Sequence, residues 1–131
     1  MFEKYMIMTR GFRNVSRDGE IIGFQFLLRT TYYRGVYLAI INGLEVSVDA
    51  ETFQPSQIRA EFGGREYALD EMAREETARW TFGEPARITV LKKGGLRPGL
   101  HEIKVTQAIK PAYMPGRGFV SNASKTITLV Q

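Results

Sequence analysis

The stretch Val15-Ser16-Arg17-Asp18-Gly19-Glu20-Ile21-Ile22-Gly23-Phe24-Gln25-Phe26-Leu27-Leu28 sets an Asp-Gly pair between two segments that carry apolar residues. Asp-Gly is among the strongest short hairpin signals, because glycine accepts the positive φ of a tight turn without steric cost. Phe24, Phe26 and Leu28 recur every second residue, which puts them on one face of a strand. The pattern predicts a first strand over residues 5–15, a polar turn over residues 16–19 and a second strand over residues 22–31.

The same period continues down the chain. Residues 36–41 read as a buried strand, and Asn42-Gly43 as the turn after it. Leu44, Val46 and Val48 alternate into a further strand that runs to Asp49. Residues 53–57 contain a proline and read as loop. Ile58, Ala60 and Phe62 lead into Gly63-Gly64, and Tyr67 and Leu69 lead out, which is a hairpin. Residues 70–78 are the only helical candidate, read as a single turn or two, with Asp70 as cap and Glu71 favourable to the helix dipole. Residues 80–85, from Trp80 to Pro85, read as a turn with apolar anchors. Residues 86–92 and 100–109 read as strands, with Ile88 and Val90 inward in one and His101, Ile103 and Val105 sharing a face in the other. Residues 93–99 make the turn between them. Residues 110–123 read as a long loop. Residues 125–130 close the chain, with Ile127 and Leu129 opposite Thr126 and Thr128. The expectation is one all-β domain over residues 1–131: about eight strands and one short helix, in an antiparallel β-sandwich of jelly-roll or immunoglobulin-like type.

Composition narrows the chemistry. Cysteine is absent, so there is no disulfide, no thiolate metal site and no cysteine nucleophile. The net charge of +4 invites a nucleic-acid reading. Its basic residues are scattered singly, however, with Lys92-Lys93 the only adjacent pair, whereas phosphate-tracking proteins concentrate them. No apolar run approaches the roughly 20 residues needed to span a bilayer. The first residues carry no basic cluster followed by an apolar run, so the expected location is the cytoplasm. The two Asn-x-Ser triplets, at Asn14 and Asn122, read as chance matches without a secretion signal.

Catalytic patterns are missing. His101 is the sole histidine, and it reads as a turn-proximal residue with satisfied hydrogen bonds. There is no Gly-x-Ser-x-Gly nucleophile element, and Gly94-Gly95-Leu96-Arg97-Pro98-Gly99 lacks the Gly-Lys-Ser/Thr end of a phosphate loop. Asp70-Glu71 and Glu75-Glu76 are adjacent carboxylates that point apart on a helix. Two segments hold more than a turn needs. Tyr32-Tyr33-Arg34-Gly35 sets two aromatics and a guanidinium beside a strand start. Tyr113, Met114, Pro115, Arg117 and Phe119 lie on the long loop. Tyr, Met, Arg and Phe are enriched at protein interfaces. These eight residues (Tyr32, Tyr33, Arg34, Tyr113, Met114, Pro115, Arg117 and Phe119) are the candidates for a partner interface or a pocket wall. The plainer reading is that they pack over the open ends of the sandwich.

A family resemblance rests on the same segments. Tyr32-Tyr33-Arg34-Gly35, Leu69-Asp70-Glu71-Met72, Arg79-Trp80-Thr81-Phe82-Gly83-Glu84, Leu91-Lys92-Lys93-Gly94-Gly95-Leu96-Arg97-Pro98-Gly99-Leu100-His101 and Tyr113-Met114-Pro115, in this order, resemble the small β-subunit of bacterial C-glycoside deglycosidases. The resemblance covers nearly the whole chain. It implies a heteromer in which a TIM-barrel α-subunit holds a divalent metal, expected to be manganese, and cleaves the sugar–aryl carbon–carbon bond of a 3-oxo-C-glucoside of a flavonoid or related aromatic. No cofactor is implied for this chain, and neither a nucleic acid nor a membrane is an expected partner. It implies that the small subunit stabilises the α-subunit and helps shape the pocket. The competing reading is a stand-alone carbohydrate-binding sandwich in which Tyr32, Tyr33 and Trp80 stack on sugar rings.

Overall fold

The computed structural model describes residues 6–29, 36–38, 41–72, 74, 79–80, 84–109 and 119–130. Among them the chain runs β1 (Arg13–Arg17), β2 (Glu20–Leu28), β3 (Val36–Tyr37), β4 (Ile41–Val48), β5 (Glu51–Thr52), a 3-10 turn (Pro55–Gln57), β6 (Ile58–Phe62), β7 (Arg65–Ala68), α1 (Leu69–Met72), β8 (Arg79–Trp80), β9 (Ala86–Leu91), β10 (Gly99–Ile109) and β11 (Phe119–Leu129). Three antiparallel sheets form: β1-β2-β9-β6-β7, β11-β10-β4-β5 and the small pair β3-β8. The two large sheets are the layers of an all-β sandwich, with one short helix, as the alternation predicts.

The inward faces are the alternating sets read from the sequence. Phe24, Phe26 and Leu28 of β2, Ile58 and Ala60 of β6, and Ile88 and Val90 of β9 are fully buried from one sheet. Val46, Val48, Ile103, Val105, Ile109 and Leu129 meet them from the other. Each of these side chains other than Ala60 contributes about 1.5–3 kcal/mol of transfer free energy when fully buried. The aromatic rings interlock edge to face: Phe24 lies 5.6 Å from Phe53 and 6.4 Å from Phe12.

Local chemistry sets the turns. Asp18 and Gly19 both have positive φ, at 53° and 82°, which is the type I′ pattern that matches strand twist. The hairpin is therefore two residues long, and β1 extends through Ser16 and Arg17, which the sequence pattern assigned to the turn. Gly63 and Gly64 make the same kind of turn between β6 and β7. Asn14, one of the two Asn-x-Ser positions, is a latch: its amide donates to the Leu96 carbonyl at 2.9 Å and its oxygen accepts the Leu96 N–H at 2.9 Å.

Five expectations change. The first strand is not continuous over residues 5–15. Ile7 bridges Leu28, the chain leaves the sheet, and pairing resumes at Arg13. Gly11 supplies the break with a φ of 86° and lies against Leu27. Asn42-Gly43 is not a turn but part of β4. The β10–β4 register slips there, pairing Ala108 with Gly43 and Ile109 with Ile41, so the Asn-Gly pair makes a bulge. The buried strand expected over residues 36–41 reduces to Val36–Tyr37 paired with Arg79–Trp80, while residues 39–40 lie outside the described set. The loop expected to run to residue 123 gives way to β11 at Phe119, because residues 119–129 pair with β10 without a break in register. The helix of a turn or two expected within residues 70–78 is the single turn α1, but its cap is Glu71, whose carboxylate accepts the Ala68 N–H at 2.7 Å, in place of Asp70. Residues 75–78 lie outside the described set.

Candidate functional site

Of the eight candidate residues, Tyr32, Tyr33, Arg34, Tyr113, Met114, Pro115 and Arg117 lie outside the described residues, and Phe119 enters as a backbone position. The described strand ends that flank them are informative. Leu28, the last residue of β2, pairs with Ala86 at the start of β9. Ile109, the last residue of β10, pairs with Ile41 at the start of β4 and with Phe119 at the start of β11. A side-chain amide ties these two sheets together at that level: Gln107 Nε2 donates to the Arg29 carbonyl at 3.1 Å. The described flanks Arg29, Ile109 and Phe119, which border residues 30–35 and 110–118 in sequence, therefore lie at one end of the sandwich.

Gln107 is the residue at this end that the sequence reading missed. It occupies an inward position of β10, in step with Ile103, Val105 and Ile109, and is 1% exposed. Its Oε1 is buried and has no hydrogen-bond partner among the described residues. An unpaired buried acceptor costs about 1–3 kcal/mol. The available signal was a single amide at an inward step of an otherwise apolar alternation.

Beside the bulge of β4 lies a cleft of about 390 Å³. Ile41, Leu44, Pro55, Leu69 and Met72 give it an apolar lining, with Glu45 and Asp70 at the polar side. α1 builds one wall, following directly on β7. Asp70 is held by Arg74 at 3.8 Å, an exposed pair of small energetic weight. Trp80 sits within the core rather than on a surface. It is 3% exposed, packs on Phe62 with ring centroids 5.2 Å apart, and donates its indole N–H to the Glu84 carbonyl at 3.0 Å. It offers no face for stacking on a sugar, which removes one of the three aromatics from the stand-alone carbohydrate reading.

His101 stands at the opposite end, near the β4–β5 turn. Its Nδ1 is 2.6 Å from Asp49 Oδ2 and its Nε2 is 2.6 Å from the Arg97 carbonyl, while Phe12 meets the ring edge to face at 6.1 Å. Asp49 also accepts the Glu102 N–H at 2.9 Å. That backbone bond, then the His101 bond, hold the Asp49 carboxyl below the usual aspartate range. The arrangement is a structural clamp on a turn in which Asp49 and Ala50 both have positive φ. Among the described residues no group of three His, Asp or Glu side chains is placed to hold a metal ion. Both His101 nitrogens are engaged within this clamp. No helix among the described residues is long and apolar enough to cross a membrane.

The family described as C-glycoside deglycosidase beta subunit matches residues 2–113. The C-glycoside deglycosidase beta subunit of Eubacterium cellulosolvens is 38% identical over 114 residues, covering 86% of this chain and 78% of that protein. The 3'-dehydrocarminate deglycosidase beta subunit of a Microbacterium species is 30% identical over 96 residues, covering 73% of this chain and 72% of that protein. The matched span includes α1, the apolar cleft, Gln107 and the flanks of residues 30–35.

Proposed function

The chain belongs to the C-glycoside deglycosidase beta subunit family, and from that premise we propose that it is the small subunit of a heteromer that cleaves the sugar–aryl carbon–carbon bond of 3-oxo-C-glucosides. The observation that carries this reading is the family match over residues 2–113, which ends within the second candidate segment. We assign the base and a divalent metal, manganese by expectation, to a TIM-barrel α-subunit, and to this chain the support of that subunit and of one wall of its pocket.

The chemistry favours such a division. A C-aryl bond has no glycosidic oxygen to protonate, so a two-carboxylate hydrolysis has no leaving group to assist. A ketone at C3 acidifies the C2 proton. A base takes that proton, the electron pair forms the C1–C2 double bond, and the aryl carbon leaves C1 and is protonated. The aglycone is flat and aromatic, and Tyr33, Tyr113 and Met114 are side chains suited to packing on such a ring. Arg34 is suited to a bidentate pair with a carboxylate of the α-subunit. The meeting of the flanking residues, Arg29 with Gln107 and Ile109 with Phe119, supports a single contact surface that includes Tyr32, Pro115, Arg117 and Phe119 as well.

The test is coexpression with the α-subunit, followed by chromatography and an aglycone-release assay on a 3-oxo-C-glucoside. The complex is expected to release aglycone and this chain by itself to release none. Release by the purified chain, or failure of the two chains to co-elute, overturns the proposal.

A further inference from the structure

The outward face of the five-stranded sheet carries a feature that the proposed role leaves unused. In a sandwich this face ordinarily meets water, and its side chains are exposed. Here Gln25 and Thr89 point away from Phe24, Phe26, Ile88 and Val90, yet are 6% and 8% exposed. They are directly paired across β2 and β9, with Arg59 of β6 next in the same row. Together they line a cleft of about 280 Å³. Neither side chain makes a hydrogen bond to another described residue, and neither has a sealed polar atom, so their polar groups open on the cleft.

The surroundings select the ligand class. Arg59 is fixed by donating from Nη1 to the Ser56 carbonyl at 2.8 Å and the Ile58 carbonyl at 3.1 Å. Arg87 donates to Glu61 at 2.9 Å, and Glu66 of β7 is paired with Glu61 of β6. The floor thus holds an amide and a hydroxyl, each both donor and acceptor, between guanidinium donors and carboxylate acceptors. Arg17 also lines the cleft, so an anion would meet Glu61 and Glu66, and a cation would meet Arg17, Arg59 and Arg87. A neutral diol satisfies both sets, because each hydroxyl donates once and accepts. The volume lies just under the ~300–1,000 Å³ of typical ligand pockets, which suits one sugar ring rather than an oligosaccharide. We propose that this cleft binds a neutral monosaccharide-sized polyol through the Gln25 amide and the Thr89 hydroxyl, with Arg59 and Glu61 flanking it.

The residues that line the site include none of the candidate segments, and the site does not depend on the role proposed for them. The test is nuclear magnetic resonance titration of the full chain with D-glucose, D-galactose and D-mannose, with sodium acetate and inorganic phosphate as charged probes. At least one sugar is expected to shift the Gln25 side-chain amide and the Thr89 backbone amide saturably. Gln25→Ala and Thr89→Val are each expected to weaken the binding about fivefold or more, by loss of one hydrogen bond. Thr89→Ser, which keeps the hydroxyl, is expected to retain it. Both positions face outward, and unchanged signal dispersion separates lost binding from lost fold. Three results overturn the proposal: no saturable shift with any sugar, stronger shifts with acetate or phosphate at the same residues, or shifts confined to other residues. Addition of the α-subunit that perturbs the same two side chains while the sugars leave them unmoved also overturns it, by making the face an interface.

Discussion

Replacing Gln107 with leucine is expected to stabilise the chain while weakening its function. The side chain is 1% exposed at an inward position of β10, so both amide atoms are buried. Nε2 donates to the Arg29 carbonyl, and Oε1 has no partner among the described residues. Leucine removes the Arg29 bond, a loss of about 1 kcal/mol. It also removes an unpaired buried acceptor, a relief of about 1–3 kcal/mol. Methyl groups in place of amide atoms add up to about 0.8 kcal/mol each through apolar burial. The Arg29 residue is partly exposed, so its carbonyl can turn to water. The net expectation for Gln107→Leu is a gain of about 1–2 kcal/mol, read as a higher urea midpoint at unchanged m-value. In a thermal scan this corresponds to a rise of roughly 4–8 °C. The same substitution cuts the tie between the two sheets at the root of residues 30–35, so affinity for the α-subunit is expected to fall. A destabilisation of more than about 1 kcal/mol would refute the reasoning, since only a missed partner of Oε1 makes the amide worth that much.

Three further outcomes follow from the same geometry. Gly23→Ala is expected to cost about 3 kcal/mol or to prevent folding, because an added Cβ would lie 2.0 Å from the Val90 carbonyl oxygen, a backbone atom that cannot yield without parting β2 from β9; denaturant unfolding measures it. The Asp49 carboxyl lies below its unfolded value of 3.8, so its stabilisation is full above that value and is lost as pH falls through the lower folded one. Urea midpoints measured from pH 5 to pH 2 should therefore fall more steeply for the native chain than for Asp49→Asn, with a modest difference because the Asp49 side chain is 49% exposed and screened. Arg34→Ala is expected to weaken the complex with the α-subunit by about tenfold or more, measured by calorimetry, with no change in the melting of the lone chain.

The fold class was legible because burial in a sandwich repeats every two residues. Phe24, Phe26 and Leu28, or Ile103 and Val105, announce an inward face whatever their neighbours in space. The Asp-Gly and Gly-Gly hairpins were legible because their positive φ is a local demand. The Asn42-Gly43 bulge was not legible, since an Asn-Gly pair serves a turn and a bulge equally well and only the register against Ala108 and Ile109 distinguishes them. Trp80 looked available for stacking because sequence reports side-chain type and not depth; Phe62 and the Glu84 carbonyl claim it.

By itself, the sequence determined that this is an antiparallel all-β chain, that it has no thiolate chemistry and a single histidine, and that its ordered motifs resemble one family. Those properties are local or compositional, and a strand alternates its faces before it has partners. The tertiary structure decided which strands are neighbours, and with that it brought Arg29 to Gln107 and set Gln25 beside Thr89 on an outward face. Each of these pairings joins residues 64 or more positions apart, since 89 − 25 = 64 and 107 − 29 = 78. Contact across such spans is set by the register and packing of whole sheets, to which no local pattern in the chain gives access.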